Sequence, residues 1–418
     1  MAFKFVHTAD IHLDSPLKSL ALRDEGLAEL VGNATRATFS RIVDLCLAEE
    51  VQALLIAGDL YDGSQTSMKT ARFLAQEMER LAGEDIPAFV IRGNHDAASR
   101  ITRELTLPDS VTVFGGKARV IETLWRDHAV AVHGISYRDP HAPESLLNRF
   151  HPPVPGAFNI GLLHTSLGGA QGHDPYAPCA LSELQATGFD YWALGHIHQR
   201  SAYPGVKPGA TTVVMPGIPQ GRDIGEAGPK SVTLVSVADD GRIEMEERHL
   251  AVAQFERLPV DCGQHSDWHT LAGALKNALR TARRAHAGEH LIVRPVLTGA
   301  TPLAWKIGRD IDVLHAEARN VADEIGTLWI DKIEIALDIA PDTSPGGAVG
   351  ELARIIQQSS LPPDAPAMHD VVDRLLKHLP RELRGLLGDS EAQTAAAMTE
   401  MMQQGAMEVL ARLEEDDG

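Results

Sequence analysis

Short apolar runs and longer amphipathic stretches alternate along the first 250 residues. Phe3–His7, Ala53–Ala57 and Ala88–Ile91 are compact runs of the kind that form strands buried on both faces. Between them, Phe39, Ile42, Val43, Cys46 and Leu47 recur at helical spacing, and Met68–Leu81 follows the same period. Further runs predict strands at Ala129–His133, Ile160–Leu163, Tyr191–Leu194, Thr212–Met215 and Val232–Val237. Strands alternating with helices predict a layered α/β domain over residues 1–253.

The pattern then changes twice. Over residues 254–340, a helix around Trp268–His286, a strand at Leu291–Leu297, a helix at Val313–Ile325 and a strand at Leu328–Ile339 predict a small α/β module. The stretch "PDTSPGGA", residues 341–348, has the composition of a linker. Residues 349–418 are helical in pattern, with apolar positions at Leu352, Ile355 and Ile356, then Val372, Leu375, Leu376 and Leu379. The last helix carries Met398, Met401, Met402, Val409, Leu410 and Leu413. A methionine-rich helix is more often core than interface, but its place after a flexible linker favours docking in a partner's groove.

Composition narrows the class. The chain has 418 residues, 44% hydrophobic and 23% charged, as ordinary soluble domains do. No apolar run approaches the ~20 residues that cross a membrane, and the start lacks a signal-peptide layout. Three cysteines (Cys46, Cys179 and Cys262), odd in number and far apart, make no disulfide framework and fit a reduced cytoplasm. Cys46 lies on an apolar helix face and is expected in the core. A net charge of −19 counts against a protein that simply coats nucleic acid. It leaves room for an enzyme that meets phosphates through bound cations, which invert the local charge logic.

The candidate chemistry sits where the predicted strands end. Asp10 and His12 follow Phe3–His7, in "TADIHLD", and Gly58-Asp59-Leu60-Tyr61-Asp62 follows Leu54–Ala57. Gly93-Asn94-His95-Asp96 follows Phe89–Ile91, His164 follows Ile160–Leu163, and Gly195-His196-Ile197-His198 follows Tyr191–Leu194. Any one block is also an ordinary turn, since Gly and Asn tolerate left-handed backbone and Asp caps helices. Five in succession place Asp, Asn or His at the carboxyl edge of the strands, where α/β sheets hold their ligands.

Phosphoryl displacement needs such a set, because two divalent cations roughly 3.5–4 Å apart clamp the attacking and leaving oxygens. Carboxylate, imidazole and amide together suit Mn²⁺ or a similar first-row ion better than Ca²⁺. Asp10 and His12, like His196 and His198, stand two apart and share a face if the segment is extended. Asp59 can bridge both ions, and the glycines before Asp59, Asn94 and His196 let the backbone pass close to a ligand. Since adjacent side chains diverge, His95 is freed from the metal by Asn94 and faces substrate. There it stabilises developing charge or protonates the leaving oxygen. Asp62 is the candidate carboxylate that orients it.

Asp10-x-His12, Gly58-Asp59-x-x-Asp62, Gly93-Asn94-His95-Asp96, His164 and Gly195-His196-x-His198 together resemble the calcineurin-like metallophosphoesterase superfamily across roughly residues 1–250. Within it, "HTADIHLDSPL", "HTSLGGAQGHDPYAPC" and "GHIHQR" followed by "PGIPQGR" are similar to bacterial DNA-repair exonucleases of the SbcD and YhaO kind. Leu13-Asp14-Ser15-Pro16 is closer to the YhaO branch. The carboxylate at Asp62 resembles the superfamily's phosphatases, where archaeal and eukaryotic recombination nucleases carry histidine.

The resemblance implies a four-layer α/β/β/α sandwich with a small α/β cap domain and a helical C-terminal tail that binds a coiled-coil, SMC-like ATPase. It implies DNA as substrate and two Mn²⁺ ions. Asp10, His12, Asp59 and His198 would hold one ion; Asp59, Asn94, His164 and His196 the other, with a bridging hydroxide as nucleophile. His95 takes the catalytic histidine's place, and relatives often form homodimers.

Blander assignments compete at several residues. His7 and His133 sit within or at the end of apolar strands and are expected to be structural. His173 and Asp174 belong to a glycine-rich loop that either rims the site or does not, and Asp14 is equally a helix cap. Lys276, Arg280, Arg283 and Arg284 form one helix face, either a solvated surface or a contact for DNA backbone. Three functions follow from the chain: a Mn²⁺-dependent DNA nuclease working with an ATPase, a nucleotide phosphoesterase, and a non-catalytic scaffold. The tethered helical tail separates the first from the second. The filled ligand positions separate both from the third.

Overall fold

The computed structural model describes residues 3–15, 25–61, 67–98, 107–139, 144–168, 176–207 and 209–338, with isolated positions 351, 374, 397, 401 and 405. Two compact units divide it: Met1–Glu256 with Ala287–Ile292, and Arg257–His286 with Val293–Gly418. The linker 341–348 and nearly all of the tail 349–418 lie outside the described residues.

In chain order the first unit contains strands β1 (Phe3–Thr8), β2 (Leu54–Ala57), β3 (Ala88–Ile91), β4 (Val111–Val113), β5 (Arg119–Trp125) and β6 (His128–Gly134). They continue as β7 (Phe158–His164), β8 (Tyr191–Gly195), β9 (Ser201–Tyr203), β10 (Thr212–Met215), β11 (Val232–Val237) and β12 (Ile243–Arg248). Among the described residues its α-helices are α1 (Glu25–Ala48), α2 (Met68–Ala82), α3 (Asn94–Ala98) and α4 (Leu181–Gln185).

Among the described residues these strands form two six-stranded sheets, in the orders β12-β11-β1-β2-β3-β4 and β5-β6-β7-β8-β10-β9. The middle of each is parallel: β1, β2, β3 and β4 run together, as do β6, β7, β8 and β10. All the chemistry-bearing strand ends therefore lie at carboxyl edges.

Strand pleating sorts the layers. Leu54, Ile56 and Val90 turn to Phe39, Ile42, Val43 and Cys46 of α1 and to Leu74 and Met78 of α2. The alternate residues Leu55, Phe89 and Ile91 pack instead on Ile160, Leu162, Tyr191 and Ala193 of the second sheet. Leu163, Trp192 and Leu194 face outward under Leu184 and Phe189. The result is the four-layer α/β/β/α arrangement, with the outer layer on the second sheet reduced to the short α4 and loop segments among the described residues.

Over residues 253–338, β13 (Ala253–Asp261), β14 (His290–Ala300) and β15 (Leu328–Ile330) are adjacent in one sheet, and β16 (Glu334–Asp338) pairs parallel to β14. Among the described residues of the same stretch, the helices are α5 (Trp268–Ala285), α6 (Ala304–Arg309) and α7 (Ile311–Ile325). Asp267 caps α5 by accepting from the Thr270 amide at 3.0 Å, and Gly326 ends α7 in left-handed geometry at φ 73°. The single strand expected at Leu328–Ile339 is broken after Ile330. Asp331 there turns in to an ion pair with Arg294, whose Nε lies 2.7 Å away. Among the described residues no helix is long and apolar enough to cross a membrane.

Candidate dimetal active site

The loops after β1 and β2 are joined through their backbones. Asp10 N donates to Gly58 O at 2.9 Å, His12 N to Asp59 O at 3.0 Å and Leu13 N to Leu60 O at 2.9 Å. Asp10, His12 and Asp59 all take left-handed φ values, 52°, 45° and 51°. The Asp10–His12 segment is thus not extended, as the spacing argument assumed. Its alternation survives by another route, with Asp10 and His12 in the site while Ile11 and Leu13 enter the core. His196, at φ 104°, is strained as well, and strain of this kind clusters where function requires it. A Cβ on Gly93 would sit 2.2 Å from Asp59 Oδ1, and one on Gly195 would sit 2.1 Å from Ala57 O. Close approach, more than turning, is what these two glycines permit.

The predicted ligands converge. Asp10, His12 and His198 present ligand atoms all within 4.8 Å of one another, and so do Asp10, Asp59 and His164. His164 is fully buried and its Nδ1 lies 2.9 Å from Ala57 O. A carbonyl only accepts, so Nδ1 carries a proton, and the ring, once neutral, turns a lone pair on Nε2 toward Asn94 Oδ1 (3.1 Å) and Asp59 Oδ2 (3.3 Å). His198 repeats the device. Its Nδ1 is 2.7 Å from Glu226 Oε1, leaving Nε2 to face His12 Nε2 at 3.2 Å.

Imidazole nitrogens and carboxylate oxygens that face one another in a confined place are joined by a proton or a cation. The donor set therefore fits divalent metal ions. Without an ion the His164 ring binds a second proton: burial alone would lower its pKa, but Asp59 and Asp10 reverse this and raise it to about 9, so a cation at Nε2 takes the place of that proton. Burial works to raise Asp59, yet the His164 imidazole, then His12 and His95, hold its carboxyl below the usual range. Asp10 is pushed up, first by burial, with the histidines opposing. It accepts from the His196 amide at 2.9 Å, which fixes the loop after β8. His95 is anchored by its own amide, 3.0 Å from Asp59 Oδ1, and its ring meets His12 edge-on at 5.0 Å. Asp62 lies outside the described residues.

Two residues of the site were given no role from the sequence: Asp96, quoted only within its motif, and Glu226. Asp96 is buried and accepts from the amides of Leu60 (3.1 Å), Tyr61 (2.9 Å) and Gly93 (3.1 Å), clamping the β2 and β3 loops together. Burial, followed by the nearby Asp59 charge, raises it to about 7. Glu226 orients His198 and is itself held by Arg222 Nη2 at 2.6 Å. Burial opposes its ionisation, but His198 and Arg222 keep its carboxyl well below the usual range.

Other candidates fall to structural roles. His7 bonds Tyr191 Oη (3.0 Å) and Leu194 O (3.1 Å), and His133 bonds Asn159 Oδ1 (3.0 Å). Asp14 pairs with Arg36, whose Nε lies 2.6 Å away. Lys276 pairs with Glu317 at 2.6 Å and Arg280 with Glu324 at 2.8 Å, so much of that basic stripe is neutralised. Cys46, Cys179 and Cys262 are buried and unbonded to one another. His173 and Asp174 lie outside the described residues.

A cleft of about 920 Å³ opens over the cluster, lined by Asp59, Asn94, His95, His196 and His198 and extending to Arg200 and Lys230. Imidazoles and carboxylates at the ends of parallel strands, open to such a cleft, are suited to binding a pair of divalent metal ions.

Comparison with known families agrees with that geometry. The calcineurin-like phosphoesterase family matches residues 3–200, and the middle domain of metallophosphoesterase YhaO matches residues 255–338. The chain belongs to the calcineurin-like metallophosphoesterases, as a metal-dependent phosphoesterase of the YhaO type. It is 32% identical over 331 residues to the uncharacterized metallophosphoesterase YhaO of Bacillus subtilis (strain 168), covering 78% of this chain and 79% of that one. It is 26% identical over 207 residues to the DNA double-strand break repair protein Mre11 of Sulfurisphaera tokodaii, covering 48% of this chain. That match spans 50% of the archaeal protein. A dimetal phosphatase from Danio rerio, 14% identical, superposes with a TM-score of 0.37 over 60% of this chain and 97% of its own.

Proposed function

We propose that this phosphoesterase is a Mn²⁺-dependent DNA exonuclease of DNA repair that hydrolyses phosphodiester bonds in the cleft above Asp59. The observation that carries the chemistry is the set of imidazole lone pairs, at His164 and His198, fixed by Ala57 O and Glu226 and aimed at Asp59, Asn94 and His12. The likeness to relatives named for double-strand break repair supports DNA as the substrate.

Asp10, His12, Asp59 and His198 would hold one ion. Asp59, Asn94, His164 and His196 would hold the other. The mixture of carboxylate, imidazole and amide favours Mn²⁺. When bound, the pair supplies positive charge to offset the charge developing on the phosphoryl oxygens. His95 lines the cleft, and its anchored amide presents the ring to substrate, where it protonates the departing oxygen. Asp62 orients that ring. Residues 349–418 form the segment that docks on a coiled-coil ATPase.

The test offers the purified chain end-labelled single-stranded and duplex DNA, with Mn²⁺ or with EDTA, beside His95→Ala. Nucleoside monophosphates and bis(p-nitrophenyl) phosphate run in parallel. Mn²⁺-dependent shortening of DNA, lost in His95→Ala, is the expected result. Hydrolysis of the small substrates with DNA left intact would replace the nuclease by a small-molecule phosphoesterase. No hydrolysis of any substrate would leave a scaffold.

A further inference from the structure

Lys230 lines the same cleft as Asp59, Asn94 and His95, yet it comes from a different segment, between β10 and β11. It is half-buried, and its Nζ donates to one neutral acceptor, Ala227 O, at 3.2 Å. Among the described residues it makes no ion pair. The other long cation on this wall is already committed: Arg200 places Nε 2.9 Å from Glu247 and Nη1 2.7 Å from Thr233 Oγ1. Glu226, the nearby carboxylate, is engaged by His198 and Arg222 and does not pair with Lys230.

The lysine is also held in place. Its carbonyl accepts from His249 Nδ1 at 3.1 Å, and its Cε lies 3.6 Å from where a Cβ on Gly221 would stand. Burial lowers its pKa, with Glu226 opposing. A desolvated cation with a single neutral partner, fixed on the wall of a phosphoesterase cleft, is matched to an anion that arrives with the substrate.

We propose that Lys230 is a substrate-holding residue whose ammonium receives a phosphate of the substrate other than the one being hydrolysed. This rests on the nuclease reading, in which the substrate is a chain of phosphodiesters. The scissile phosphate belongs beside Asp59, Asn94 and His95. Lys230 provides the second point that sets how the strand lies in the cleft, and it favours substrates with a neighbouring phosphate over isolated diesters.

Wild type, Lys230→Gln and Lys230→Arg are compared on an end-labelled oligodeoxynucleotide and on bis(p-nitrophenyl) phosphate, which has no second phosphate. In Lys230→Gln the KM for the oligonucleotide is expected to rise roughly tenfold more than that for the small diester, with kcat changing far less. The slope of log KM against log salt falls by about one, as for loss of one phosphate contact. Lys230→Arg recovers most of the difference. Equal losses on both substrates, or an unaltered oligonucleotide KM, overturn the inference.

If wild type hydrolyses the small diester but leaves the oligonucleotide intact, the nuclease reading has failed on its own. The uncleaved oligonucleotide is then used as an inhibitor of diester hydrolysis. An inhibition constant that rises in Lys230→Gln keeps the phosphate subsite, and one that does not move removes it.

Discussion

Gly93→Ala tests whether the cluster around Asp59 is the reacting centre. The backbone of Gly93 is outside the left-handed region, so alanine meets no conformational penalty there. Space is the difficulty. The added methyl carbon would lie 2.2 Å from Asp59 Oδ1 and 2.7 Å from both Cε1 and Nε2 of His164. Ordinary contact begins at 3.4 Å, so the carboxylate or the imidazole has to retreat. Both groups are buried and cannot swing into solvent.

The same Asp59 oxygen accepts from the His95 amide, so its displacement also loosens His95. A misplacement on the order of 1 Å costs about 100-fold in rate, while overpacking costs about 1–3 kcal/mol of stability. The assay combines Mn²⁺ titration by calorimetry, hydrolysis of bis(p-nitrophenyl) phosphate, and urea denaturation. Gly273→Ala in α5, where an added Cβ meets nothing within 4 Å, is the control, expected to gain about 0.5–1 kcal/mol with unaltered turnover. A folded Gly93→Ala protein with normal metal affinity and turnover would refute the assignment of Asp59 and His164 to the reacting centre.

Three further expectations follow from other contacts. Glu226→Ala removes the acceptor that fixes the His198 tautomer, so Mn²⁺ affinity should fall about 10–100-fold, and calorimetry on the variant checks this. His7 makes stability depend on pH. Burial, offset only in part by the Leu194 carbonyl, lowers its pKa from 6.5 to about 3, so the unfolded chain binds a proton that the folded one refuses. Stability is complete above pH 6.5 and is lost as pH falls toward 3, by about 2 kcal/mol at pH 5. Denaturation of wild type and His7→Gln at pH 7.5 and pH 5 should therefore show a smaller loss in the variant, and an equal loss would exclude His7 as the cause. Asp62→Asn should lower turnover and shift the pH–rate profile if Asp62 orients His95, whereas an unchanged profile ends that role.

Buried parallel strands were the easiest elements to read from the chain. β2 and β3 are apolar on both faces, so their sequences are uninterrupted runs ending in Gly, Asp or Asn. Strands at the edges were harder. β12 alternates half-buried Ile243 and Met245 with exposed Glu244 and Glu246, and β5 carries exposed Arg119, Glu122 and Leu124, so neither stands out from a loop. The break after Ile330 was hidden too, because it depends on Arg294 reaching Asp331 from the neighbouring strand.

By itself, the chain determined where chemistry is delivered. Five strand ends carry Asp10 and His12, Asp59, Asn94 and His95, His164, and His196 and His198, because a parallel sheet sends every carboxyl edge to the same side. Only the tertiary structure decided how those groups are held. Asp96 clamps Leu60 and Tyr61 from another loop, Glu226 reaches back to His198, and Ala57 O sets the tautomer of His164. These partners are far apart along the chain, and no local period or motif spacing encodes which carboxylate will meet which imidazole once two sheets have packed face to face.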